Sequence, residues 1–203
     1  IQPSFLSNGA KDRFTAGRVH DKLSTMVLRR IKNFFLDLLF PRLCLGCTKE
    51  GEFFCTTCRS SLRFIPPTCI VCKKMVPGKG RVNPGRTCDS CQKYSSIYLF
   101  LSPFSYDHES IRSLIHALKY QRVRTLAKVF GQLLADYSLM FKVVFPEELL
   151  VIPLPLHNRR KRIRGFNQSE LISKEFIIQA GSPRGFSIDT DTLLRVKNTK
   201  PQV

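Results

Sequence analysis

Eight cysteines confine what this chain can become. They stand at Cys44, Cys47, Cys55, Cys58, Cys69, Cys72, Cys88 and Cys91, in four Cys-x-x-Cys pairs with none left over. Two residues between the sulfurs let a turn point both at one ion, and two such knuckles complete a tetrahedral thiolate site. Seven residues separate the first two pairs and fifteen separate the last two. The second gap fits the zinc pattern of knuckles about 15 to 20 residues apart, and the first is a shorter version of it. Sequential pairing needs the least loop closure. It builds site one from Cys44, Cys47, Cys55 and Cys58, and site two from Cys69, Cys72, Cys88 and Cys91. A cross-braced pairing is the alternative.

Other cysteine chemistries fit less well. A disulfide scaffold belongs to secreted chains, and the opening IQPSFLSNGAKDRF has no hydrophobic core of a signal peptide. A redox pair normally occurs singly near a βαβ pattern. Iron–sulfur runs are spaced differently. Two zinc ions are therefore expected, in a structural role, because a closed four-cysteine site leaves no open position for catalysis. Residues 73–87 are rich in Lys, Gly, Pro and Arg and read as an exposed loop. With few large apolar groups there, metal binding would supply much of the folding energy.

Charge narrows the partners. The 33 Lys and Arg exceed the 15 acids and give a formal net charge of +18 over 203 residues. Such an excess points to a polyanion: nucleic acid, a phosphorylated small molecule or an anionic membrane surface. The plainer reading is a basic background that serves solubility. Hydrophobic residues make up 43%, enough for a packed core. No apolar run reaches the roughly 18 residues of a membrane span.

The chain divides by pattern. Residues 1–25 are polar and aperiodic, and read as a disordered or non-native extension, with Met26 as a natural start. Residues 26–42 read as an amphipathic helix: Val27, Leu28, Ile31, Phe34, Phe35, Leu38 and Leu39 recur at helical spacing before Pro41. Its apolar face packs on the rest of the protein or docks on a membrane or partner. Residues 43–94 hold the double ribbon, and residues 95–203 turn to α/β. There, 97–106 reads as a strand or strand pair. Asp107 caps a helix carrying Ile111, Leu114, Ile115 and Leu118. A second helix follows with Leu126, Val129, Phe130, Leu133, Leu134 and Tyr137. Residues 149–154 form a short apolar run expected of a buried parallel strand. Asn167 and Glu170 form a capping box for a helix to about residue 179.

Between that strand and that helix stands the densest charge in the chain. Arg159, Arg160, Lys161, Arg162 and Arg164 follow His157, and the run reads as a basic loop. Arg offers forked donors suited to phosphate oxygens. A basic loop after an apolar strand is how α/β folds build anion sites. The alternative is a solvated basic loop with no ligand.

The stretches FFLDLLFPRLCLGC, FFCTTC, CIVC, YDHESIRSLIHALKY, VIPLPLHNRRKRIRGFNQSELISKE and LLRVKNTKPQV run along nearly all of residues 26–203. Together they resemble the ComF family of competence-associated proteins, and RGFNQ after PLPLH is the most specific part. The resemblance implies a double zinc ribbon followed by a type I phosphoribosyltransferase-like fold with a parallel sheet. It places Pro153, Pro155, Arg164, Gly165, Phe166, Asn167 and Gln168 where a loop would contact pyrophosphate, with Lys119 and Tyr120 near the phosphoribosyl site. It implies an accessory protein of natural transformation that handles incoming single-stranded DNA in the cytoplasm, at the inner face of the membrane. The competence helicase or other uptake proteins would be its partners.

One departure tempers the resemblance. The family's phosphoribosyl pyrophosphate motif, two acids followed by a Thr-Thr-Gly-like loop, does not occur before Val203. Asp189 and Asp191 are not followed by such a loop. The chain therefore reads as a C-terminally truncated fragment with an incomplete sheet and no transferase activity by itself. Three functions stay open. The first is single-stranded DNA binding through Arg159, Arg160, Lys161, Arg162 and Arg164. The second is a phosphoribosyltransferase using phosphoribosyl pyrophosphate, with no catalytic residue assigned. The third is a zinc-ribbon interaction module.

Overall fold

A computed structural model describes residues 41–199 of the chain, apart from 81 and 182–184. The helix expected before Pro41, the polar extension ahead of it and the last residues of the chain lie outside the described residues.

The order of elements is α1 (Thr56–Ser61), a 3-10 helix (Asp89–Tyr94), α2 (Glu109–Tyr120), α3 (Leu126–Met140), β1 (Leu149–Val151), α4 (Asn158–Arg164), α5 (Gln168–Gln179) and β2 (Phe186–Ile188). Two ribbons therefore precede an α/β region. Its described sheet has two parallel strands, with Leu149 opposite Phe186 and Val151 opposite Ile188.

The helices form where apolar spacing requires them. On α2, Ile111, Leu114 and Leu118 are buried as expected, and Ala117 joins them. On α3, Leu126, Leu133 and Tyr137 are buried. The same helix buries a second stripe of small residues, Ala127, Gly131 and Ala135, each four residues from the last. A Cβ on Gly131 would lie 2.6 Å from the Glu175 Cβ and 2.8 Å from the Phe176 nitrogen. The small stripe thus lets α5 close onto the α3 backbone.

One core joins the first ribbon to these helices. Cys44, Phe54 and Leu62 cluster with Ile111, Leu114, Leu118, Leu126, Leu133 and Phe166. The second ribbon is tied in separately. Asn83 donates from Nδ2 to the Val144 carbonyl at 2.9 Å and accepts from the Val144 N–H at 2.6 Å.

Five local expectations need correction. Residues 97–106 form no strand: Leu99 makes one isolated bridge with Arg86, and the rest is irregular. Ser102, Pro103 and Ser105 interrupt the run. The segment 149–154 is parallel as expected but not buried, since Leu150 and Ile152 are exposed in a two-stranded sheet. The cap of α2 is His108, not Asp107, whose carboxylate instead accepts from Ser105 Oγ at 2.9 Å. Residues 73–87 are not wholly an exposed loop, because Asn83 and Thr87 are buried. Gly85 turns there at φ +77°, where a Cβ would sit 2.5 Å from Pro67. The capping box of α5 is half made: Asn167 accepts from the Ser169 N–H, while Glu170 accepts instead from Lys174 Nζ at 2.6 Å.

The α3–α5 contact yields the first test. Gly131→Ala adds a methyl with no room to fit. Overpacking costs about 1–3 kcal/mol, against a gain of about 1 kcal/mol in helix propensity. Urea unfolding should show a net loss of stability, and Gly131→Val should lose more.

Candidate metal centres and anion-binding face

Each knuckle is built by its own backbone. In the first ribbon the Cys44 sulfur accepts from the N–H groups of Gly46 and Cys55, both at 3.4 Å, and the Cys55 sulfur caps α1 by accepting from Cys58 N–H at 3.5 Å. Gly46 is needed beside the sulfurs, since a Cβ there would meet the Cys58 Sγ at 2.8 Å. Cys44, Cys47, Cys55 and Cys58 form one quartet, and Cys69, Cys72, Cys88 and Cys91 form the other. This is the sequential pairing, not the cross-braced one. In each quartet all sulfurs lie within 4.8 Å of one another.

The residues present fit zinc. Thiolates about 2.3 Å from a central zinc define a tetrahedron with edges of about 3.8 Å. The Cys47–Cys55 sulfurs are 3.7 Å apart and the Cys72–Cys88 sulfurs 3.8 Å. None of the eight cysteines is in a disulfide.

Proton affinities within the quartets point the same way. Burial pushes the Cys44 thiol up, but the backbone N–H groups of Cys55, Gly46 and Cys47 outweigh it and bring it down to about 6. Cys58 is pushed up to about 12, first by its hydrogen bond with Cys47 and then by burial. In the second quartet the backbone N–H groups of Cys72 and Cys88 lower Cys69 to about 6. The Cys88 sulfur leads in raising Cys91 to about 12. The first thiol of each set ionises readily and the last resists, because its proton is shared with a neighbouring sulfur and burial disfavours its charged form. A dication at the centre removes that resistance.

The basic run is a helix, not the loop expected. His157 caps α4 by accepting from Arg159 N–H on Nδ1 at 3.2 Å. Arg and Lys are good helix formers. Gly165 ends the helix at φ +78°, its N–H donating to the Lys161 carbonyl.

Helix formation sorts the anticipated residues onto different faces. Lys119, Tyr120, Arg160 and Arg164 come together, with Arg122 and Ile163, around a pocket of about 220 Å³. Pro153, Pro155, Lys161 and Asn167 line a separate cleft of about 500 Å³, with His157 and Arg195. Arg159 and Arg162 are exposed and line neither.

The remaining residues hold the site's framework. Phe166 is buried in the core, and the Arg124 guanidinium lies 4.9 Å from its ring centre. Arg124 also donates to the Gly165 carbonyl at 3.2 Å. Asn167 donates to the Leu154 carbonyl at 3.1 Å, which fixes α5 to the end of the β1 segment. Gln168 accepts from Arg164 at 2.8 Å. Asp189 bonds the Thr192 hydroxyl and the N–H groups of Asp191 and Thr192, so it organises a turn after β2.

The small pocket is lined by cations. Among the described residues, none of Arg159, Arg160, Lys161, Arg162 and Arg164 is in an ion pair with a carboxylate. Arg164 sits 5.4 Å from the Tyr120 ring centre. Lys119 is held below its ordinary range, first by desolvation and then by the charge of Arg164. Sequence reasoning missed Arg122 and Arg124. Both follow the HALKY helix, and their charge was the signal available. It also missed Asn83, which nothing in the local pattern distinguishes.

The fold and the cysteine sites define a double-zinc-ribbon protein with an α/β region after the ribbons. A family model described as a double zinc ribbon domain matches residues 35–92. Competence protein F of Haemophilus influenzae is 30% identical over 139 residues, 66% of this chain and 52% of that protein. DNA utilization protein YhgH of Salmonella typhimurium is 26% identical over 173 residues, 81% of this chain and 71% of that protein. Over these stretches the chain is similar to proteins of the ComF/YhgH family. It spans about half the length of competence protein F. No solved structure matches it, and no helix among the described residues is long and apolar enough to cross a membrane.

Metal analysis tests the quartets. Native mass spectrometry should find two zinc ions per chain. Cys72→Ser should reduce the count to one and leave the helical circular dichroism signal largely intact, since site two lies outside the shared core cluster. One zinc in the unmodified chain, or a Cys–Cys bridge, would contradict the assignment.

Proposed function

We propose that this chain binds single-stranded DNA as an accessory of DNA uptake, and that α4 and the pocket beside it hold the phosphates. The observation that carries the reading is the meeting of Lys119, Arg122, Arg160 and Arg164 around Tyr120. Four cations line one pocket with an aromatic ring, and Arg164 lies 5.4 Å from that ring's centre. Cationic tracks with aromatic rings bind single strands without sequence readout, because every nucleotide offers a phosphate and a π face. Arg159, Lys161 and Arg162 extend the charge along the exposed side of α4. Relatives named competence protein F and DNA utilization protein support the same reading.

A second reading has one observation behind it. Lys119 and Arg164 line one pocket of about 220 Å³ and lie close enough for the Arg164 charge to act on Lys119. A phosphoribosyl pyrophosphate site would use the same two cations, and DNA and this ligand would then compete.

Salt titration separates the two. For single strands the logarithm of affinity falls with the logarithm of salt with a slope of about −0.7 per neutralised phosphate. Replacing Arg159, Arg160 and Arg162 by Ala should weaken oligonucleotide binding and flatten that slope by about 2. Arg164→Ala should abolish pyrophosphate binding if the second reading holds. An unchanged slope in the triple variant would remove α4 from the DNA interface.

A further inference from the structure

Among the described residues, the second ribbon carries three exposed aromatic rings. Tyr94, Tyr98 and Phe100 are 69%, 57% and 42% exposed. Single exposed apolar residues need no explanation, but three large rings within seven residues do. The chain here is held in place. Thr87 N–H donates to the Tyr98 carbonyl at 2.7 Å, Thr87 Oγ1 donates to the Ile97 carbonyl, and Leu99 bridges Arg86. The backbone behind the rings is therefore fixed, and Leu99 turns inward and is half-buried. In an extended segment, residues two apart share a face. That puts Tyr98 and Phe100 side by side, about 7 Å apart along the chain.

The same ribbon is rich in cations. Residues 69–100 hold six Lys and Arg against one acid, Asp89. Asp89 is already neutralised by Arg86, which it meets at 2.6 and 3.3 Å. A zinc ion with four thiolates carries a net charge of about −2, which leaves the ribbon positive. Lys73, Lys74, Lys79 and Lys93 are exposed, and Lys93 Nζ lies 4.9 Å from the Tyr94 ring centre.

We infer that this face of the second ribbon is a base-stacking platform for single-stranded nucleic acid, with Tyr98 and Phe100 as its stacking pair. The inference rests on the single-stranded DNA reading above and adds a second contact, separate from α4. Exposed π faces on a cation-rich ribbon suit a ligand that alternates flat bases with phosphates. A partner recognised by apolar contact alone gains nothing from the lysines. The division of labour is explicit: α4 and its pocket grip phosphates, while the ribbon grips bases.

The test uses the full chain and an oligonucleotide carrying the fluorescent base 2-aminopurine, beside an abasic oligonucleotide of equal length. Stacking is worth about 1–3 kcal/mol per base, or about five- to more than a hundredfold in affinity. Tyr98→Leu with Phe100→Leu keeps apolar bulk and removes both π faces. This variant should keep two zinc ions, bind the base-bearing strand at least about tenfold more weakly, lose the quenching of 2-aminopurine, and bind the abasic strand as before. Tyr98→Phe should behave as wild type. Equal affinity of the Leu variant and wild type for the base-bearing strand would overturn the platform while leaving the DNA reading intact, and would mark the face as a protein-docking surface. If wild type binds neither strand, both the DNA reading and the platform fall.

Discussion

Four sulfurs held within 4.8 Å of one another are the constraint on which the rest of this structure depends. Left to themselves they cannot all ionise, and Cys58 and Cys91 keep their protons far above the ordinary range. A dication resolves the conflict and converts a repulsive cluster into a crosslink. In the first ribbon that crosslink does more than close a loop. Cys44 and Phe54 are buried in the same core as α2, α3 and Phe166. The metal therefore fixes one wall of the core on which the α/β helices pack.

The cationic face around α4 is built outward from that core. Phe166 is anchored inside it, Gly165 ends α4 just before the anchor, and Arg124 ties the two by bonding one and lying against the other. The orientation of α4 follows. One face turns Arg160 and Arg164 toward Lys119 at the end of α2, and another turns Lys161 toward the cleft at the ends of the parallel strands. A buried phenylalanine within a run of arginines thus aims the arginines. Phe166 itself is buried in the core cluster.

The metal sites were legible in the sequence down to the pairing of ligands, because Cys-x-x-Cys spacing is a local rule and loop closure favours neighbours. The helices α2, α3 and α5 were legible from periodicity. The misses were non-local or competitive. Charge density in α4 suggested a loop, yet His157 at one end and Gly165 at the other bound a helix, and both are visible in the sequence once read as caps. The bond of Asn83 to Val144 spans 61 residues and leaves no local trace. The α3–α5 contact through Gly131 was hidden because small residues carry no hydrophobic signal. Residues 97–106 have strand composition, but among the described residues only Leu99 pairs with a neighbour. Of the candidate site, the cations were found and their grouping was not. That grouping depends on which face of α4 each residue occupies.

The central claim is that zinc in the first ribbon holds the core of the α/β region. Amide hydrogen exchange with and without a zinc chelator tests it most directly. The account predicts that removing zinc strips protection from α2, Glu109–Tyr120, together with the first ribbon, because Cys44 and Phe54 share one core cluster with Leu114 and Leu118. If α2 keeps its full protection after both zinc ions are gone, the ribbon is an appendage and the account is contradicted.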